Sequence, residues 1–445
     1  LSFTSMLSPE YTDFRKHIET IYLQALQSVD PYKLVQEALR VSGRKLTLDG
    51  TSLDFGDQAV LYLIALGKAA GRMTKAALDV PGLHFIDGVV ALPEMERLSL
   101  PARFKLFHAG HPHPTQASID AGHMAKKMLA QCTADDIVFV LISGGGSALF
   151  ELPIPGIELA DLHQFNQQLL RAGLPIQQVN IIRSALSQTK AGGLARMAAP
   201  ARVVALILSD VIGDPLSSIA SGPTVLTPDR RNEALQLLKR TTLWLRTPAR
   251  IRIALEKDRS LRPKVRRPVN VLLAGNRDFI RGALVAAQSL GFKAEVLSRQ
   301  MHGEARQLGR VFARRLLKRS PGIKHPTCFI MGGETTVTVQ GTGKGGRNQE
   351  FALAGATTLD GHERIAIASL ASDGRDGPTD AAGAIITGAT IQTIRRIGLD
   401  PDQALDQNDA YHALNAGNAL LKTGPTGTNV ADIVLGLIYP ETSST

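Results

Sequence analysis

The chain reads as an α/β protein of two α/β domains, the first a Rossmann-like three-layer sandwich with a mostly parallel sheet. Three observations predict this. Six apolar runs have the length of buried strands: 60–66, 136–142, 202–208, 269–274, 328–331 and 365–371. They are continuous rather than alternating, as in parallel strands covered by helices on both faces. Each leads into a loop of charged or hydroxyl residues with glycine: Gly67-Lys68, Ser143 to Ser147, Ser209-Asp210 with Gly213 beyond, Gly275 to Asp278, Gly332 to Thr335 and Ser372 to Gly374. In such folds ligands bind at the carboxyl ends of the strands. The polar glycine chemistry therefore gathers on one rim, or on two facing rims, which is the layout of an enzyme.

The elements follow in order. Ile18, Ile21, Tyr22, Ala25, Leu26 and Val29 fall on one helical face, and Pro31 opens a second helix. The segment KLTLDGTSLDF reads as a hairpin turning at Asp49-Gly50. Strand, glycine loop and helix then repeat to about residue 208. A helical stretch over roughly 229–256 leads to a charged, Pro-bounded linker at 258–268. A second α/β section runs from Val269 to about 422 and includes an edge-like strand, Thr335 to Val339. The expected boundaries are 1–245 for the first domain and 246–424 for the second, with the tail 425–445 returning to pack on the first.

At 445 residues the chain exceeds one ordinary core. With 44% hydrophobic and only 5% aromatic residues, its composition suits α/β packing. The net charge of +10 favours anionic ligands. Nucleic acid is not the expected partner, because the basic cluster Arg262, Lys264, Arg266, Arg267 lies in the linker without interleaved aromatics. Cys132 and Cys328 form no disulfide framework, and no apolar run reaches membrane-spanning length. No secretory signal is visible, so the expected location is cytoplasmic. The chain opens on Leu1 rather than Met, which leaves room for residues or a processed leader ahead of it.

The loops carry the chemistry. Ser143-Gly144-Gly145-Gly146-Ser147 has more glycine than a turn needs, and it reads as a phosphate or oxyanion cradle of amides with two hydroxyls. Lys68 stands where a helix begins, the wrong end of the helix dipole for a cation unless it faces an anion. The loop from Gly341 to Arg347 matches GxGxxG, with Asp360 at the distance of a ribose-binding acid. Yet the strand before it is short and polar, and the loop carries Lys344 and Arg347. It is no Walker A loop either, since Gly345 follows the lysine. A mobile loop in which Gly343, Lys344, Gly345 and Gly346 hold phosphate and Arg347 meets a transferring phosphoryl group fits better.

Asp210 and Asp214, Asp373 and Asp376, and Glu334 are acids in strand-end loops. Magnesium takes one or two carboxylates plus phosphate oxygens and waters, and an Asp there also serves as a general base. Each serves equally well as a turn former or helix cap. Arg183 and Lys190 stand seven apart, two turns of one helical face, suited to a carboxylate or phosphate. His108, His111 and His113 fit no common zinc spacing; they read as a rigid loop close to substrate.

Taken together, GKAAGRM (67–73), AGHPHP (109–114), SGGGSAL (143–149), SALSQTKAGGLA (184–195), LSDVIGDPLSSIASGPTV (208–225), GGETTVTV (332–339), GKGGRNQE (343–350), SDGRDGPTDAAGA (372–384) and PTGTNVADI (425–433) resemble glycerate 2-kinases of the MOFRL type. The resemblance runs in order over nearly the whole chain. It implies ATP-dependent phosphorylation of D-glycerate at its 2-hydroxyl, with magnesium, in a site in the interdomain cleft. The family's suspected catalytic lysine and arginine fall on Lys68 and Arg347. Many members carry Lys-His and Lys-Gly-Gly where this chain has Ser184-Ala185 and Lys190-Ala191-Gly192.

The expectation is therefore a kinase with Lys68, Arg347, Asp210 and Lys190 as catalytic residues. Ser143, Gly144, Gly145, Gly146, Ser147, Gly343, Lys344, Gly345, Gly346 and Glu334 would bind ATP, and Asp214, Asp373 and Asp376 would hold Mg2+. The partners are small molecules, and the chain is a monomer or homodimer. Since some relatives are labelled hydroxypyruvate reductases, an NAD(P)H-dependent reductase using 341–346 is the alternative.

Overall fold

Strands Leu61–Leu66 and Ile137–Ile142 are buried at every position, and Arg202–Leu208 at all but the first. Period-two burial is absent because helices cover both faces of their sheet, as the continuous apolar runs require. The computed structural model describes residues 11–48, 50–56, 58–94, 96–257 and 265–441. The sheet order is Phe104–Ala109, Phe85–Pro93, Leu61–Leu66, Ile137–Ile142, Arg202–Leu208, Val269–Ala274. The pairings of the first five strands are all parallel. This puts the loops after residues 66, 109, 142 and 208 on one rim. The hairpin forms as expected: Leu48 pairs with Thr51 across a two-residue turn, and Gly50 supplies a φ of +73°. Asp49 lies outside the described residues.

The second six-stranded sheet is mixed. Its order is Lys293–Met301, Thr327–Gly333, Asp432–Ile438, Ile365–Ala371, Gly383–Thr387, Leu420–Leu421. Only the first pair is parallel. The apolar tail strand Asp432–Ile438 does not return to the first sheet as expected. It is inserted in the middle of the second, antiparallel to both neighbours. Both of its faces are buried there, which explains why it too is continuously apolar. Because it runs backward, its amino end lies beside the carboxyl ends of its neighbours: Asp432 is in register with Gly333 on one side and Ala371 on the other.

Two compact units result, one from Pro31 to Leu273 and one combining the chain up to Asp30 with Ala274 onward. Helix Phe14–Ser28 buries Ile18, Ile21, Tyr22 and Ala25, the stripe expected from the sequence. It belongs to the second unit, where the Tyr22 ring meets Phe279 edge-on at 6.1 Å and its hydroxyl donates to the Ala371 carbonyl at 2.7 Å. The expected helical stretch at 229–256 is three short helices, Arg231–Lys239, Leu243–Arg246 and Ala249–Glu256, all within the first unit. Residues 258–264 of the linker candidate lie outside the described residues. No strand forms at Thr335–Val339; a single bridge joins Thr336 to Glu304. No helix among the described residues is long and apolar enough to cross a membrane.

Candidate active-site residues

The first unit's rim is built by close backbone approach. Gly67 has a φ of +117°, and a Cβ there would lie 2.2 Å from the Ser143 Oγ. Glycine is therefore required where the loops after Leu66 and Ile142 meet. The contact is bonded on both sides: the Lys68 amide donates to the Gly144 carbonyl at 2.9 Å, and the Ala69 amide donates to the Ser143 Oγ at 2.9 Å. Lys68 is thus set at the rim two residues before helix Ala70–Leu78. Gly145, at φ +80°, precedes the single turn Gly146–Leu149. A Cβ on Gly145 would lie 3.1 Å from His111 Cδ2 and 3.4 Å from Lys68 Cγ. His111, on the loop after strand Phe104–Ala109, is thus brought beside the triple glycine and Lys68. The sequence pattern AGHPHP marked that loop as close to substrate without singling out this histidine.

Lys190 differs from expectation. Helix Ile176–Ala185 ends before it, so Arg183 and Lys190 do not share a helical face. Arg183 donates to Asn166 Oδ1 at 3.0 Å, and burial lowers its pKa. The Lys190 side chain is only 5% exposed; it forms an ion pair with Glu151 and donates to the Ser147 carbonyl at 3.0 Å. Ser187 also donates to Glu151. The pair thus sits beneath the glycine loop and is bonded to it.

The floor around that pair has unusual backbone. Ala191, Ala220 and Ser221 have φ of 52°, 48° and 62°, beside Gly192 and Gly222 at 81° and 58°. The Ala191 amide donates to the Ser221 carbonyl and the Gly192 amide to the Gly222 carbonyl, at 2.9 and 2.7 Å. Ser221 Oγ lies 2.9 Å from Ser147 Oγ. Each non-glycine residue held there costs on the order of 1–3 kcal/mol, and such strain gathers at functional sites.

The loop after Leu208 carries Asp210 and Asp214. Asp214 is left-handed, at φ 55°, and its Oδ1 is buried without a hydrogen-bond partner. A carboxylate oxygen in that condition suits a cation. No cluster of three or more His, Cys, Asp or Glu fit to hold a metal occurs among the described residues.

In the second unit Arg347 opens helix Arg347–Leu359. Its guanidinium binds Asp432 in bidentate fashion, at 2.5 and 2.9 Å, and Glu334 Oε1 at 2.8 Å. The Asp432 side chain is 1% exposed and that of Arg347 is 32% exposed. Burial works against the Arg347 charge, but Asp432, Glu334 and Asp376 outweigh it and raise its pKa. Glu334 is therefore placed as a partner of the arginine. Asn276 fixes the same corner, donating to the carbonyls of Val430 and Asp432.

Asp376 does not suit the expected metal role. It is 1% exposed, and its carboxylate accepts the amides of Asn348 and Gln349 at 3.0 and 2.8 Å, capping the Arg347 helix. Burial pushes it up to about 6 against the pull of those two amides. Asp373 forms a turn, accepting the Arg375 amide at 3.0 Å. Nor is the 341–346 loop a bare amide cradle. The amides of Gly341, Gly343 and Lys344 donate to Asn408 Oδ1, the Gln407 carbonyl and Asp409 Oδ1. Lys344 Nζ stands 4.5 Å from the Tyr411 ring centroid. Polar groups from a separate turn pin the loop, a long-range constraint that local glycine counting does not reveal.

Comparison with known proteins adds three findings. Residues 17–256 match a domain of unknown function, DUF4147, and residues 327–432 match the MOFRL family. A D-glycerate 2-kinase of Thermotoga maritima is 39% identical over 97% of this chain and 100% of that protein, and a putative hydroxypyruvate reductase of Agrobacterium vitis is 38% identical over 83% and 97%. A crystal structure of glycerate kinase from Thermotoga maritima superposes with a TM-score of 0.83 at 36% identity, covering 96% of this chain and 100% of that one.

Proposed function

The chain belongs to the glycerate kinase family built from a DUF4147 domain and a MOFRL domain, and from that premise we propose that it transfers the γ-phosphoryl group of ATP to the 2-hydroxyl of D-glycerate, giving 2-phosphoglycerate and ADP. The observation that carries the reading is similarity to a D-glycerate 2-kinase over 97% of this chain and 100% of that protein, with Lys68 and the 143–147 loop locked together on one rim.

Phosphoryl transfer needs little covalent chemistry from a protein; it needs positioning and charge stabilisation. Lys68 supplies a cation beside Gly144 to Ser147, where loop amides and the Ser147 hydroxyl receive phosphate oxygens; Ser143, expected to bind ATP, is fully buried and bonded to Leu66 and Ala69, so it braces the loop instead. Arg347, pre-oriented by Asp432 and Glu334, stabilises charge on the transferring group. Asp210 is the base for the substrate hydroxyl. Lys190 acts through Ser147, holding the glycine loop rather than touching ATP. Magnesium fits the orphaned oxygen of Asp214, and when bound it would neutralise phosphate charge. The assay is purified protein with D-glycerate, ATP and magnesium, with the product identified by NMR. 2-Phosphoglycerate is expected; 3-phosphoglycerate would break the regiochemistry, and absence of any phosphorylated product would break the activity.

A further inference from the structure

Behind the glycine loop, wholly within the first unit, lies a cavity of about 630 Å³ whose wall includes Ser184, Ser187, Lys190, Ala191, Ser221 and Thr227. Two wall residues join it to the phosphate cradle: Ser221 touches Ser147 through its hydroxyl, and Lys190 binds the Ser147 carbonyl. Ser221 itself and a third wall residue, Ala191, are among the strained left-handed residues. Backbone held in such a conformation marks a wall whose shape is specified.

Size and charge decide what fits. Ligand pockets of about 300–1,000 Å³ hold drug-sized molecules; a three-carbon acid would leave most of this one empty. The wall also carries five cations, Lys126, Lys190, Arg196, Arg230 and Arg231, but each is already engaged. Lys190 pairs with Glu151, Arg230 with Glu233 at 2.6 Å and Arg231 with Asp229 at 3.1 Å. Arg196 donates to the carbonyls of Ala191 and Thr227, and Lys126 to Gln188 Oε1. Three of these cations are neutralised by carboxylates, while Arg196 and Lys126 keep their charge on neutral oxygens; beside them the hydroxyls of Ser184, Ser187, Ser221 and Thr227 and the apolar Ile181, Ala185 and Met197 suit a polar ring system larger than a three-carbon acid. The small residues at Ser184, Ala185 and Ala191 leave that volume open.

We propose that this cavity holds the nucleoside of the phosphoryl donor, with its phosphates directed to the 143–147 loop. The proposal rests on the kinase reading for the identity of the donor. It predicts that filling the wall at Ser184, on helix Ile176–Ala185, blocks nucleotide while sparing the acceptor. The test is calorimetric titration of the full chain and of Ser184→Trp and Ser184→Leu with ADP and, separately, with D-glycerate, after melting curves confirm that at least one variant is folded. A loss of ADP affinity of about tenfold or more, graded from Leu to Trp where both fold, with D-glycerate affinity unchanged, is expected. ADP affinity retained in the folded variants, or lost together with D-glycerate affinity, would overturn the assignment. Neither titration needs turnover, so failure of the kinase reading is distinguishable: wild-type chain that forms no phosphoglycerate but binds ADP in a Ser184-sensitive manner would refute the activity and leave the pocket standing.

Discussion

Replacing Arg347 by alanine should damage stability and turnover together, and a second substitution should pull the two apart. The Asp432 carboxylate is 1% exposed and is paired with Arg347 by two hydrogen bonds. Removing the arginine leaves that carboxylate buried without its counter-charge, a loss of about 3–5 kcal/mol. In a unit of this size that corresponds to a fall in melting temperature of about 6–20 °C. The double variant Arg347→Ala with Asp432→Asn removes the stranded charge and should recover most of the melting temperature. Turnover should not recover, because an arginine that stabilises the transferring phosphoryl group is worth about 10³–10⁵ in rate. The assays are thermal melting and the initial rate of ADP release with D-glycerate, on both variants and on Asp432→Asn alone. If the double variant regained wild-type turnover along with its melting temperature, Arg347 would be a structural partner of Asp432 and nothing more.

Three further outcomes follow from the geometry. Lys190→Met and Glu151→Leu should each cost about 3–5 kcal/mol by stranding a buried charge, while the double substitution recovers much of it; because Lys190 acts through the loop, kcat should recover with it, and a double variant as slow as Lys190→Met would return Lys190 to direct contact with substrate. Burial pushes the Glu96 carboxyl up to about 7, opposed by Arg72, so between pH 4.5 and 7 the folded chain holds the extra proton and stability falls as pH rises. The melting-temperature gain of Glu96→Gln over wild type should therefore be larger at pH 8 than at pH 5; equal gains at both would refute the shift. Gly67→Ala drives a Cβ into Ser143 in a left-handed conformation, and D-glycerate kinase activity should be lost; a fully active variant would mean that the Lys68 loop is not locked to the 143–147 loop.

What was legible in the sequence was mostly local. The six apolar strand runs, the Pro31 helix start, the hairpin and the glycine loops each depend on a few neighbouring residues and appear where they were read, whereas the polar run Thr335–Val339, read as an edge-like strand, forms only the bridge from Thr336 to Glu304. What failed depends on partners distant in the chain. Asp432–Ile438 carries no mark saying which sheet it joins, and its antiparallel insertion is set by Thr327–Gly333 and Ile365–Ala371. The seven-residue interval of Arg183 and Lys190 implied a shared face only while the helix continued, and it ends at Ala185. Asp376 and Asp373 look alike in SDGRDG, yet one caps a helix begun 29 residues earlier at Arg347 and the other forms its own turn. His111 and Asp432 were missed as neighbours of Lys68 and Arg347 because strand pairing brings them there, from the edge strand Phe104–Ala109 in one sheet and the interior strand Asp432–Ile438 in the other.

The 341–346 segment shows why a matched pattern is weaker than a satisfied geometry. A dinucleotide fingerprint works because a strand delivers a tight glycine turn whose amides stay open for pyrophosphate and whose helix faces it. Here no strand precedes the loop, and the amides of Gly341, Gly343 and Lys344 are bonded to the 407–409 turn. The acid at the expected spacing, Asp360, stands at the far end of the helix paired with Arg395 at 2.9 Å, about 20 Å from its start by helix rise. It cannot meet a ribose whose phosphates sit at the helix start. The same turn that consumes these amides fixes the loop leading into Arg347, and Asp376 caps that helix from the other side. The glycines thus serve to let the chain pass tightly between Gln407, Asp409 and Asp376, where a Cβ at Gly341, Gly343 or Gly346 would lie within 2.5 Å of them. The reductase name carried by a relative therefore finds no dinucleotide geometry in this loop, and the residue the loop delivers is Arg347, held by Asp432 and Glu334.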